Sequence, residues 1–264
     1  MFKFTQNYSI QKILQKGEFI APDVVNQIKA ILGSPNMPFE TVEKELSLAG
    51  GHDLANLLRF NNGVSYNEIV YDVCIKFGIP ASKLNEAHIS ESKILRKVFA
   101  DILDKITPDQ RKNLIQDLKL PVQLNIAASG SILAAQILTD SLGFTAFKAS
   151  VITANMIAHA VLGHGLSFST NAALTSSLGA FIDPVSMTLT GAWLLKSLAG
   201  PAYRKTGPVV VRIALLRLLI DRREIEKRME ANFVMKVMYF FYDNPALSFA
   251  ILALVAVALG VLYM

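Results

Sequence analysis

Two residue types are nearly missing from these 264 residues: there is one cysteine, Cys74, and one tryptophan. A lone cysteine excludes an internal disulfide framework and any multi-cysteine metal site, and it suits a reducing compartment. Charge is scarce too. Asp, Glu, Lys and Arg make up 18% of the chain, hydrophobic residues make up 52%, and mean hydropathy is +0.38. A soluble domain usually carries about a quarter of charged residues, so the balance leans toward a membrane. A signal peptide is not expected, because Lys3, Lys12 and Lys16 break up the start before any continuous apolar core develops.

Signatures of chemistry are missing as well. No GxxxxGK[ST], no GxGxxG after a strand, no GxSxG elbow and no HExxH occurs. His159 and His164 lie five residues apart, which separates them by about 140° on a helix, so they cannot share a metal without the turn intervening. His52 and His88 have no ligand cluster nearby. Cys74 falls in an amphipathic helical pattern, where a packed small hydrophobe is expected rather than a nucleophile. The expectation is therefore no catalytic residue, no cofactor, no metal and no enzyme.

What charge there is lies unevenly. Residues 1–120 carry 15 basic and 14 acidic side chains, and residues 121–264 carry 11 and 7. The excess of base falls around apolar segments, which favours an anionic lipid surface over nucleic acid. A helix-turn-helix over 46–60, with Gly50 and Gly51 in the turn, is conceivable, but the near-neutral first half lacks the basic stripe that phosphates require.

Residues 1–120 read as a cytoplasmic helical domain. Val24, Ile28, Ile31 and Leu32 recur at helical spacing, and Gly33 and Pro35 stop the run. Ser65 and Glu68 form a capping box that opens a helix through Ile69, Val73 and Phe77, closed by Gly78 and Pro80. Thr107 and Gln110 form a second box, with Pro108 at the first helical position. Before it, Leu95, Val98, Phe99, Ile102 and Ile106 make one apolar face, with Lys97 and Asp101 paired outside it.

At Pro121 the composition changes. From there to Pro201 the only full charges are Asp140, Lys148, Asp183 and Lys196, and 149–182 carry none. Small residues form two ladders, Ser150, Ala154 and Ala158, then Ala172, Ser176 and Ala180; four-residue spacing puts each ladder on one helix face, where backbones can approach closely or copies can self-associate. With Gly163, His164, Gly165 and Asn171 in or beside the turn, the stretch reads as a tight helical hairpin. Each arm of 13 or 14 residues is only about 20 Å long, against about 30 Å of hydrocarbon. His159, His164 and Asn171 also need partners that lipid does not offer. Two readings stay open: a hairpin buried in the bundle, or one that enters a membrane on a trigger.

Three blocks in order carry a family likeness: Gly50, Gly51, Asn56 and Arg59 running on to Tyr66 and Asp72; Ala154 through Gly163 to Leu174; and Gly200, Pro201, Tyr203, Arg204, Lys205 and Thr206 followed by Pro208. Over about residues 40–220 the chain resembles the bacterial YaaW-like proteins, which are grouped with ubiquinol–cytochrome c chaperone-like proteins. The resemblance implies a chaperone-like label without a mechanism. The chain departs from the family pattern in a shortened acidic N-terminal module, in His164 where a basic residue is expected, in Lys205 and Gly207 at apolar positions, and in an extra C-terminal tail.

That tail runs from Ala246 through Leu254 to Met264 without a charge, and its 19 residues reach about 28 Å as a helix. Tyr239 to Tyr242 precede it as an aromatic belt, and Arg212, Arg217, Arg222, Arg223, Lys227, Arg228 and Lys236 supply a positive side that keeps the body cytoplasmic. Residues 221–230 read as a solvated helix laced by Arg222–Glu226 and Glu224–Arg228 pairs. The sequence thus predicts an all-α protein: a helical domain over 1–120, an apolar small-residue-rich region over 121–220, a basic linker helix with aromatic belt over 221–245, and a single-pass anchor over 246–264. Two functions follow. One is a membrane effector whose bundle shields the hairpin, as in pore-forming toxins of the colicin type; the other is a non-catalytic assembly or chaperone-like factor that receives a protein partner.

Overall fold

A computed structural model describes residues 7–50, 63–117, 128–140, 144–162 and 203–243. Every regular element among them is helical: α1 (Ile10–Glu18), α2 (Pro22–Leu32), α3 (Phe39–Gly50), α4 (Tyr66–Lys76), α5 (Ala87–Lys105), α6 (Pro108–Asp117), α7 (Gly130–Asp140), α8 (Phe144–Leu162) and α9 (Tyr203–Asp243). The all-α expectation holds. By internal contact the chain divides into a unit over Met1–Arg222 and another over Arg223–Met264.

The local signals act where they were expected. Ser65 Oγ accepts from the Glu68 N–H at 3.3 Å to start α4. The Thr107 box is reciprocal: Thr107 N–H donates to Gln110 Oε1 at 2.8 Å and Gln110 N–H to Thr107 Oγ1 at 3.2 Å. Ser9 caps α1 through Lys12 N–H, an N-terminus the sequence reading did not single out. Leu95, Val98, Phe99, Ile102 and Ile106 are all buried, and Lys97 pairs with Asp101. That pair is less solvated than expected: Asp101's side chain is only 12% exposed, and burial raises its pKa.

In the first unit α5 is the hub, packed on α4, α7 and α8, while α1, α2 and α3 pack on one another and α3 on α4. The first part of α9 is buried at every position over 206–222, including Val209, Val210, Val211, Ile213, Leu215, Leu216 and Leu219. A helix apolar all round belongs inside a large body or a membrane; here the body receives it. Each large aliphatic side chain so buried contributes about 1.5–3 kcal/mol. α1 admits α9 closely through Gly17, where a Cβ would stand 3.0 Å from the Leu216 and Val25 methyls.

The burial of α9 changes the reading of its charges. Arg212, Arg217, Asp221 and Arg222 are all buried, so these residues do not form the solvated basic flank expected of them. In the second unit Arg223, Lys227 and Arg228 are exposed, as a solvated helix requires. Among the described residues no helix is long and apolar enough to cross a membrane. The anchor expected over 246–264, and with it the transmembrane part of the expected fold, lies outside the described residues.

Candidate functional site

A helix that is buried for more than four turns cannot carry arginines without partners, because an unpaired buried charge costs several kcal/mol. Arg217, 2% exposed, finds its partner in Glu91 of α5, which is fully buried. The guanidinium forks onto the carboxylate: Nε donates to Oε2 at 2.5 Å and Nη2 to Oε1 at 3.3 Å. Its Nη1 donates to the Tyr8 carbonyl at 3.3 Å, and the Tyr66 hydroxyl donates to Glu91 Oε1 at 2.7 Å. Burial, then the charge and hydrogen bond of Glu91, push the Tyr66 phenol well above its ordinary pKa, partly opposed by Arg217. The cluster ties α9 to α4, α5 and the segment before α1.

Arg212, five residues earlier, makes a second knot from neutral partners. Nε and Nη2 donate to Gln27 Oε1 on α2 at 3.2 and 2.9 Å, and Nη1 to the Pro208 carbonyl at 3.1 Å. Nη2 also donates to the Val161 carbonyl at 2.7 Å. Val161 lies in the last turn of α8, where helix carbonyls lack intrahelical donors and a cation meets the negative end of the helix dipole. Burial lowers the Arg212 pKa to about 10, so it stays charged at neutral pH.

The expected hairpin residues divide. Ala154 and Ala158 on α8 are fully buried, as are their neighbours Thr153 and Ile157, and Asn155 is 6% exposed; His159 is half-buried. Ser150 lies on the same helix, which begins at Phe144 rather than near 149 and so exceeds the expected arm. Gly163, His164, Gly165, Asn171, Ala172, Ser176 and Ala180 lie outside the described residues.

Of the family-motif residues, Tyr66 enters the arginine cluster. Gly50 ends α3 where a Cβ would come within 2.6 Å of Ile69 Cγ1, so the glycine permits the α3–α4 approach. Asp72 sits apart on α4, its carboxyl pKa raised by burial and by Glu68 and lowered by Lys83. Tyr203 opens α9 with Lys76 Nζ 5.5 Å from its ring centroid, and Arg204 is exposed beside it. Gly51, Asn56, Arg59, Gly200 and Pro201 lie outside the described residues.

Cys74 is buried, its Sγ 3.8 Å from the Ser90 carbonyl, and burial lifts its pKa to about 11. Glu91, Gln27 and the pairing of Arg212 and Arg217 escaped the sequence reading. The signal was there: two arginines stand inside the apolar run 209–220, a position that demands a buried partner.

The cluster sits in a recognisable chain. A UPF0174 protein of Helicobacter pylori (strain J99) is 31% identical over 189 residues, 72% of this chain and 74% of the relative, and a second UPF0174 protein of that strain is 33% identical over 180 residues, 67% and 86%. The chain belongs to the UPF0174 family. The UPF0174 protein YaaW of Escherichia coli K12 is 26% identical over 190 residues, 71% of this chain and 74% of YaaW, in accord with the YaaW-like motifs. No family model matches the chain, and no solved structure matches it. The UPF0174 names state no substrate, partner or reaction.

Proposed function

We propose that this UPF0174 protein is a non-catalytic membrane effector. Its body is held at the cytoplasmic side of a bilayer by the 246–264 tail, and the uncharged hairpin over 149–182 stays in the bundle until a trigger frees it. The observation that carries the reading is the Arg212 bond to the Val161 carbonyl: an arginine of α9 caps the end of α8, the helix that this reading takes as the hairpin's first arm. Buried ionic and polar contacts add little net stability compared with apolar packing, yet losing one partner is strongly destabilising because it strands the other. That behaviour suits a closure that must be firm and releasable.

Overproduction of the full chain is expected to depolarise cells, read with a membrane-potential dye. Removing 246–264 is expected to shift the protein to the soluble fraction and abolish the signal, and Ser169→Asp in the turn is expected to abolish it without changing expression, since charge is expensive in lipid. Unchanged potential at high expression of the full chain overturns the effector reading in favour of an assembly factor.

A further inference from the structure

At the start of α9 the first unit opens into a cleft of about 590 Å³ lined by Ile31 of α2, Glu45, Leu48 and Ala49 of α3, and Arg204 and Lys205 of α9. Ile31, Leu48 and Ala49 are half-buried and make an apolar floor, while both cations are exposed in the first turn of α9. The N–H groups of that turn add partial positive charge on the same side. No ion pair joins Arg204, Lys205 or Glu45 to another of the described residues. The cleft therefore combines two cations, one carboxylate and apolar surface in a volume that suits a small organic group.

We infer that this cleft binds the headgroup of an amine-bearing phospholipid. The phosphodiester meets Arg204 and Lys205, the primary ammonium donates to the Glu45 carboxylate, and the glycerol end and first methylenes lie on Ile31, Leu48 and Ala49. A bare anion would leave Glu45 opposed to it and the apolar floor uncovered. A headgroup with both charges satisfies all three ionic side chains, and charge-assisted hydrogen bonds of this kind are roughly twice as strong as neutral ones. The inference rests on the membrane reading above, and it names the lipid chemistry that the body would meet there.

The full chain, held in amphipol, is titrated calorimetrically with dihexanoylphosphatidylethanolamine, with dihexanoylphosphatidylcholine (whose ammonium has no N–H) and with inorganic phosphate. Saturable binding of the ethanolamine lipid is expected, about tenfold tighter than the choline lipid, with phosphate weaker than either. The double variant Arg204→Gln, Lys205→Gln should weaken both lipids by about tenfold. Glu45→Gln should erase the preference for ethanolamine, weakening the ethanolamine lipid more than the choline lipid. These side chains are not buried, so unchanged unfolding midpoints serve as the control. Absence of saturation, wild-type affinity in the double variant, equal binding of the two lipids, or phosphate binding as tight as lipid would each overturn the inference. A chain that depolarises cells yet fails here loses this site alone, and one that binds yet leaves the potential unchanged loses the effector reading alone.

Discussion

One helix carries two sets of arginines to opposite environments. In α9, Arg212 and Arg217 are buried and bonded to Gln27, Pro208, Val161, Tyr8 and Glu91. Further along, Arg223 and Arg228 are exposed. Residue type and spacing are alike; the neighbours differ. Over 209–220 the residues around the two arginines are apolar, so the chain buries them and the arginines are carried inside, where each must be satisfied. Beyond 222 acidic and basic residues alternate, and the helix is solvated at the positions described. A guanidinium is thus a surface charge or an internal clamp according to what lies between it and the next charge.

The strongest way to break that comparison is to remove one clamp. Arg217→Met leaves Glu91 charged and unpaired in the core, and it should lower stability by about 3–5 kcal/mol in urea unfolding. Adding Glu91→Leu should restore much of that loss, since an apolar pair avoids the stranded charge. Arg228→Met, on the exposed stretch, should leave the midpoint where it was. Equal effects at 217 and 228 would mean that the buried pair is worth no more than a surface charge.

The second test concerns the helix that Arg212 caps. Ala158→Leu adds volume at a fully buried position of α8 and should cost roughly 1–3 kcal/mol by overpacking. An unchanged melt would show that this face has room to spare, against its complete burial.

The smallest effect sharpens the role of Tyr66. Tyr66→Phe removes the hydroxyl that donates to Glu91 and should cost about 1–2 kcal/mol at pH 7. The folded-state phenol titrates above the unfolded one. Its stabilisation is therefore fully present below the unfolded pKa of about 10 and is lost as pH rises from there through the folded value. The stability difference between the wild type and the Tyr66→Phe variant should accordingly be constant in urea melts from pH 7 to 9 and shrink above pH 10. A difference that grows with alkalinity would place the proton elsewhere in the cluster.

Much of the fold was legible because its signals are local. Ser65 with Glu68 and Thr107 with Gln110 are capping partners three residues apart, and Leu95 to Ile106 show their buried face through helical spacing alone. The candidate site was not legible in the same way. Glu91 stands 126 residues from Arg217, and Gln27 stands 185 from Arg212. No periodicity links such residues. Tyr66 was singled out by family likeness, but its bond to Glu91 depends on how α4 packs against α5.

The sequence by itself determined that the described parts of this chain are helices, where several begin and end, and that 149–182 lack charge. Those properties follow from hydrogen bonds and side-chain spacing within a few residues. Tertiary structure alone decided that the apolar first part of α9 enters the protein body, that Arg212 and Arg217 follow it inside, and that Val161, Gln27, Tyr8 and Glu91 receive them. Hydropathy measures how strongly a segment leaves water but cannot name the apolar medium that takes it in. Only the packed neighbours identify that medium, and they also supply the partners without which the two arginines could not stay buried.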